Sequence, residues 1–126
     1  MNTKIITNNP LIQKKLGRIF PTILIDGGYI DVLYNARDRI HEGAKLLTHP
    51  LMGSVKPNET PYRTIIIENC KGDLDLDSLL IIENSIETSK KFLNRELPLN
   101  DSNLEDFKII DLKLIESALS GLEIYY

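Results

Sequence analysis

Short β-branched runs alternate along this chain with stretches whose apolar residues recur at helical spacing. Lys4-Ile-Ile-Thr7 is one such run, and it stops at Asn8-Asn9-Pro10. Pro10 suits the first turn of a helix, where its missing N–H is not needed, and the helix is predicted to end at Gly17. Thr22-Ile-Leu-Ile25 predicts a second, buried strand, ended by Asp26-Gly27-Gly28. Ile30, Leu33, Ala36, Arg37 and Ile40 then follow at helical spacing until Gly43.

Lys45-Leu-Leu-Thr48 predicts a third strand and Arg63-Thr-Ile-Ile-Ile-Glu68 a fourth, the latter carrying an isoleucine triplet of the kind buried on both faces of a sheet. Asp75 or Asp77 can cap the next helix, whose apolar positions are Leu79, Ile82, Ile86 and Leu93. Leu97-Pro98-Leu99 breaks that pattern. Ser102-Asn-Leu-Glu105 then has the spacing of a capping box. The tail reads best as a broken one, with Asp111 capping a separate helix through Leu114, Ile115, Ala118 and Leu119.

Alternating strands and helices predict the α/β class: a single domain over residues 1–126, built as a three-layer sandwich with a small, mostly parallel sheet of about four strands flanked by helices. The connection from Thr48 to Arg63 has the length of a crossover but little helical periodicity, so the direction of the fourth strand stays open.

Composition narrows the classes of function. With 42% hydrophobic residues, 126 residues suffice for one core. The net charge of -3 and scattered lysines and arginines argue against nucleic acid, whose phosphates call for a basic stripe. No apolar run is long enough to span a bilayer or to form a signal peptide, and Cys70 is the single cysteine, so a reducing cytoplasm is the expected location.

In a parallel sheet the carboxyl ends of the strands share one edge, and ligands bind there. Asn8 and Asn9, then Asp26, Gly27 and Gly28, then Thr48 and His49 are predicted to gather at that edge, joined by Asn69-Cys70-Lys71-Gly72 if the fourth strand is parallel. The 48–62 connection adds Gly53, Ser54, Lys56, Asn58 and Glu59 as candidate binding groups, in a frame stiffened by Pro50, Pro57 and Pro61. The alternative is a loop that merely wraps the edge, with Leu51, Met52 and Val55 packed beneath it. A His49–Cys70 nucleophilic pair needs a parallel fourth strand and a third orienting group. Asp73-Leu-Asp-Leu-Asp77 lacks the glycine and terminal glutamate of a calcium loop, no zinc spacing occurs, and neither a metal nor a cofactor is expected.

Leu46-Leu-Thr-His-Pro-Leu-Met-Gly-Ser-Val-Lys-Pro-Asn-Glu-Thr-Pro-Tyr62 resembles the signature of the GrdX family. Ile5-Ile-Thr-Asn-Asn-Pro10, Tyr29-Ile-Asp-Val-Leu33 with Arg37-Asp38, and Leu74-Asp-Leu-Asp-Ser-Leu79 with Ile86-Glu-Thr88 carry the resemblance further, to about Leu93. It implies an association with the glycine, sarcosine and betaine reductase system of amino-acid-fermenting anaerobic bacteria. That chemistry depends on selenocysteine and thiols, and a chain with one cysteine outside the signature is poorly equipped for it. The expectation is a non-catalytic accessory protein that binds a reductase component or a small ligand through the 48–62 segment. The rivals are an enzyme or sensor for a small anionic metabolite, and a homodimeric scaffold.

Overall fold

The structure is a computed structural model describing residues 2–52, 60–70, 72–92 and 101–126, without the side chains of 101 and 102. Gly53, Ser54, Lys56, Asn58 and Glu59 lie outside the described residues, as do Leu93 and the break at Leu97–Leu99.

The elements are β1 (Thr3–Thr7), α1 (Pro10–Leu16), β2 (Thr22–Leu24), α2 (Tyr29–His41), β3 (Lys45–Leu46), β4 (Thr64–Glu68), α3 (Leu76–Lys90) and α4 (Asp101–Gly121). The class is α/β, as the alternation predicts. The sheet order is β2-β1-β4-β3. Only β1 and β2 pair in parallel, while β4 runs antiparallel to both of its neighbours, so the sheet is mixed rather than mostly parallel. The register decides this: Thr3 faces Glu68 and Thr7 faces Thr64.

Alternation along β1 and β4 divides two cores between the faces of the sheet. Ile6, Ile65 and Ile67 pack with Val32, Leu33, Ala36 and Ile40 of α2 and Ile82 and Ile86 of α3. Ile5 and Ile66 pack with Ile12 and Leu16 of α1 and Ile115 and Leu119 of α4. The triplet Ile65-Ile66-Ile67 is fully buried, as a strand covered on both faces must be. The outer strands depart from expectation. β2 is an edge strand, half-buried at Thr22 and Ile23 and exposed at Leu24. β3 stops at Leu46 because the Leu47 and Thr48 amides both donate to the Ile66 carbonyl, and the Thr48 hydroxyl accepts from the Ile66 amide in place of a backbone oxygen.

Local chemistry explains the starts of α1 and α3. Asn9 caps α1 by accepting from the Leu11 amide, with Pro10 in the first turn. Asp75 caps α3 by accepting from the Ser78 amide and hydroxyl, and those bonds hold its carboxyl below the usual range. The tail is a correction. α4 is one continuous helix from Asp101, so Ser102 lies inside it and Asp111 is a mid-helix residue rather than a cap. The stripe Asp111, Ile115, Leu119 faces the sheet, and burying this stripe carries the helix through the position where a break was expected.

After α2 the chain turns through Gly43, at φ 105°, a conformation that L side chains rarely adopt. A Cβ there would also lie 2.9 Å from the Cys70 carbonyl oxygen. Gly43→Ala is expected to destabilise the fold by about 1 kcal/mol or more, read as a lowered urea midpoint at unchanged m-value.

Candidate functional site

With β3 parallel to β1, the carboxyl ends of β1, β2 and β3 do share one edge, and the start of β4 joins them there. Arg63 and Thr64 therefore stand where Asn69-Cys70-Lys71-Gly72 was expected, and Cys70 lies at the opposite edge. A His49–Cys70 pair does not form.

The two asparagines after β1 serve opposite neighbours. Asn8 donates through Nδ2 to the carbonyls of Gly27 (3.2 Å) and Pro61 (2.8 Å), and its Oδ1 accepts from the Arg63 amide (2.9 Å). Asn9 caps α1 with its oxygen and donates through Nδ2 to the Lys108 carbonyl and to Asp111 Oδ2, both at 3.0 Å. Buried amides with this many partners are clamps between elements, each bond contributing about 1 kcal/mol net.

Asn9 leads into a buried polar chain. Its amide donates to Thr7 Oγ1 (3.0 Å), Thr7 and Thr64 share a hydroxyl contact of 2.7 Å across the β1–β4 ladder, and Thr64 Oγ1 donates to Asp111 Oδ2 (2.6 Å). Thr7 Oγ1 also donates to the Arg63 carbonyl (3.4 Å), and either hydroxyl can be the donor in the Thr7–Thr64 contact. Asp111 is only 4% exposed. Burial pushes its carboxyl above the ordinary range, against the opposing pull of Thr64, Asn9 and the Arg63 charge.

Arg63 lies beside this chain with 1% exposure. Its Nη1 donates to the Met52 carbonyl (2.9 Å), its guanidinium carbon sits 4.8 Å from the centre of the Tyr29 ring, and its Nε has no hydrogen-bond partner among the described residues. The Tyr29 hydroxyl is likewise buried, with no hydrogen bond of good geometry among the described residues, and burial raises its pKa against the opposing pull of the adjacent Arg63. No acid lies within ion-pair distance of Arg63 among the described residues. Arg63 and Asp111 share the wall of a cavity of about 10 Å³, room for roughly one water.

The other expected site residues are spread along the edge. Asp26, Gly27 and Gly28 are exposed beyond β2, and the Gly28 amide at the start of α2 already donates to Asp31 Oδ2 (2.8 Å), which sets a carboxylate where an anion would dock. His49 is exposed beyond β3, its Nδ1 accepting from the Leu51 amide. β2 and β3 are the two outer strands, so three strand spacings, roughly 14 Å, separate the Asp26 and His49 positions. A groove of about 680 Å³ lies at the other edge of the sheet, lined by Lys4, Phe20, Asn69 and Tyr125, so that Asn69, expected at the candidate edge if the fourth strand were parallel, lines this groove instead. No group of three or more metal-ligating side chains occurs among the described residues.

Sequence reasoning missed Arg63, Tyr29, Thr7, Thr64 and Asp111. One signal was present: Asp111 opens the i, i+4 apolar row of Ile115 and Leu119, and a carboxylate in such a row is either buried with partners or marks a misread face.

The family model for GrdX-like proteins matches residues 4–120. The chain belongs to the GrdX-like family. No curated protein and no solved structure matches it. The match takes in part or all of every element, and the buried cluster at the carboxyl edge lies wholly within the GrdX-like region.

Two outcomes are expected of this cluster. Thr64→Val leaves Asp111 short of a donor, and should cost about 1–3 kcal/mol in urea denaturation. Asp111→Asn tests the raised carboxyl. Below the unfolded value, about pH 4, both states are protonated; above it the unfolded chain loses its proton first, so wild-type stability declines as pH rises towards the folded value. The stability of Asp111→Asn relative to wild type should therefore grow with pH through that window and then level off.

Proposed function

We propose that this protein is a non-catalytic accessory protein of the glycine, sarcosine and betaine reductase system, and that it binds a reductase component through the 48–62 segment. The family name associates its members with glycine reductase. The observation that carries the structural half is the anchoring of both ends of the segment by one residue: the Arg63 amide is held by Asn8, and its guanidinium holds the Met52 carbonyl. Anchored ends lower the entropy lost when a partner is met.

Asp26, Gly27 and Gly28 flank this surface on one side, and Thr48 and His49 lead into the segment on the other. Gly53, Ser54, Lys56, Asn58 and Glu59 supply its polar groups. A row of exposed groups about three strand spacings long suits an extended protein contact better than a pocket for one small anion. The cytoplasm is the compartment where such a partner is met, and no described helix is long and apolar enough to cross a membrane.

Purified reductase components, immobilised singly, provide the test. At least one should bind the wild type, and the double variant His49→Ala, Lys56→Ala should bind it about tenfold or more weakly, with an unchanged circular-dichroism spectrum. Absence of binding by the wild type to every component would overturn the reading, as would undiminished binding by the variant. Thermal stabilisation by glycine, sarcosine, betaine or a phosphate ester, lost in the same variant, would favour the small-anion alternative.

A further inference from the structure

The edge opposite the 48–62 segment gathers most of the apolar surface that the fold leaves uncovered. α1 runs back from the carboxyl end of β1, so residues 17–21 lie at the amino ends of β1 and β2, where the Pro21 carbonyl accepts from the Ile5 amide. Antiparallel β4 delivers the start of α3 to the same edge. The end of α4 joins them, because Glu123 and Tyr125 line the groove there together with Ile19 and Phe20. Ten large apolar side chains are exposed on the described residues, and seven of them stand at this edge: Ile19, Leu74, Leu76, Leu80 and three from residues 122–126. Such a concentration marks a surface for association.

Two halves of that surface are complementary. The projecting half is the start of α3, where Leu76 and Leu80 stand one turn apart at 65% and 62% exposure. Asp73 and Asp77 border them, exposed and outside any ion pair among the described residues. Asp75 is already spent, since it caps the helix and faces the charge of Lys45. The receding half is the groove of about 680 Å³, walled by buried Phe20 and by exposed Ile19 and Tyr125. Lys4 and Glu123 add one charge of each sign to its wall. Arg18 beside Ile19, with Lys14 and Lys15 in the last turn of α1, tips the balance to positive, and all three are exposed and free of ion pairs among the described residues.

We propose that this edge is the interface of a closed homodimer, in which Leu76 and Leu80 of each copy enter the groove of the other. Asp73 and Asp77 then face the basic end of α1 across the interface. The occupant is a second copy because this one chain carries both the apolar projection with its acidic border and the apolar groove with its basic border. Both lie on one edge: Asn69 lines the groove, and the chain from there to Asp73 reaches at most about 14 Å. One two-fold axis therefore serves both contacts at once and leaves no open end for further copies. Apolar burial supplies the affinity, while the opposite charges fix the register. The carboxyl edge stays free, so the dimer does not rest on the proposed function.

Sedimentation equilibrium of the full chain tests it. Between about 1 and 100 μM the mass of the wild type should rise from 14.3 kDa towards twice that value. Leu76→Gln with Leu80→Gln should weaken self-association about tenfold or more at an unchanged circular-dichroism spectrum. The charge-reversed pairs Asp73→Lys with Asp77→Lys, and Lys15→Glu with Arg18→Glu, should each do the same. An equimolar mixture of those two charge-reversed proteins should associate again, since every contact in the mixed dimer joins opposite charges. A wild type that stays monomeric throughout would overturn the proposal, as would one that grows beyond a dimer. Undiminished dimerisation of any variant would do so too, and so would a mixture no more associated than its parts.

Discussion

A guanidinium with almost no access to water has to be met by the protein, and the way Arg63 is met organises this end of the molecule. Its amide goes to Asn8, one of its nitrogens to Met52 and its flat face to Tyr29. Those partners come from the end of β1, the exit of β3 and the start of α2. Each would otherwise be a separate loop end at a sheet edge, with a buried polar group costing about 1–3 kcal/mol if left unmet. Arg63 and Asn8 together make the edge one structure.

The alternation of strands explains how one edge supports two different chemistries. Thr7 and Thr64 continue the parity of Ile5 and Ile66, and so point to the α1–α4 side, where Asp111 receives the Thr64 hydroxyl. Arg63 continues the parity of Ile65 and Ile67 and meets Tyr29 on the α2 side. Asn8 and Asn9 repeat the division in consecutive residues, one clamping the Gly27 and Pro61 carbonyls and the other holding α4. The boundary between the faces is a single peptide step wide. A register slip of one residue would send the threonines into the wrong core.

Much of this was legible in the chain because its cause is local. Pro10 and Asn9 mark a helix start by their own geometry, Asp75 does so by its reach to Ser78, and three consecutive isoleucines require cover on both faces. Strand direction was not legible, since the 48–62 connection is long enough for either sense and Thr7 pairs with Thr64 across 57 residues of sequence. That one undetermined sign moved Arg63 to the candidate edge and Cys70 away from it. Asp111 was misread for a related reason. An aspartate before an apolar helix looks the same whether it caps a new helix or continues an old one, and only the partners on β1 and β4 tell the two apart.

A polar cluster of this kind is a poor way to gain stability. A buried carboxyl beside a buried guanidinium, each lacking a close ionic partner among the described residues, is replaceable in principle by leucine-sized groups with little loss or a gain. Apolar groups would fill the space under α4 and across Tyr29 equally well. They would supply no donor for the Met52 carbonyl, no acceptor for Thr64 and no group whose charge depends on the medium. What the polar residues add over an apolar core is therefore position: the Met52 carbonyl and the Arg63 amide are fixed by hydrogen bonds on either side of residues 53–59.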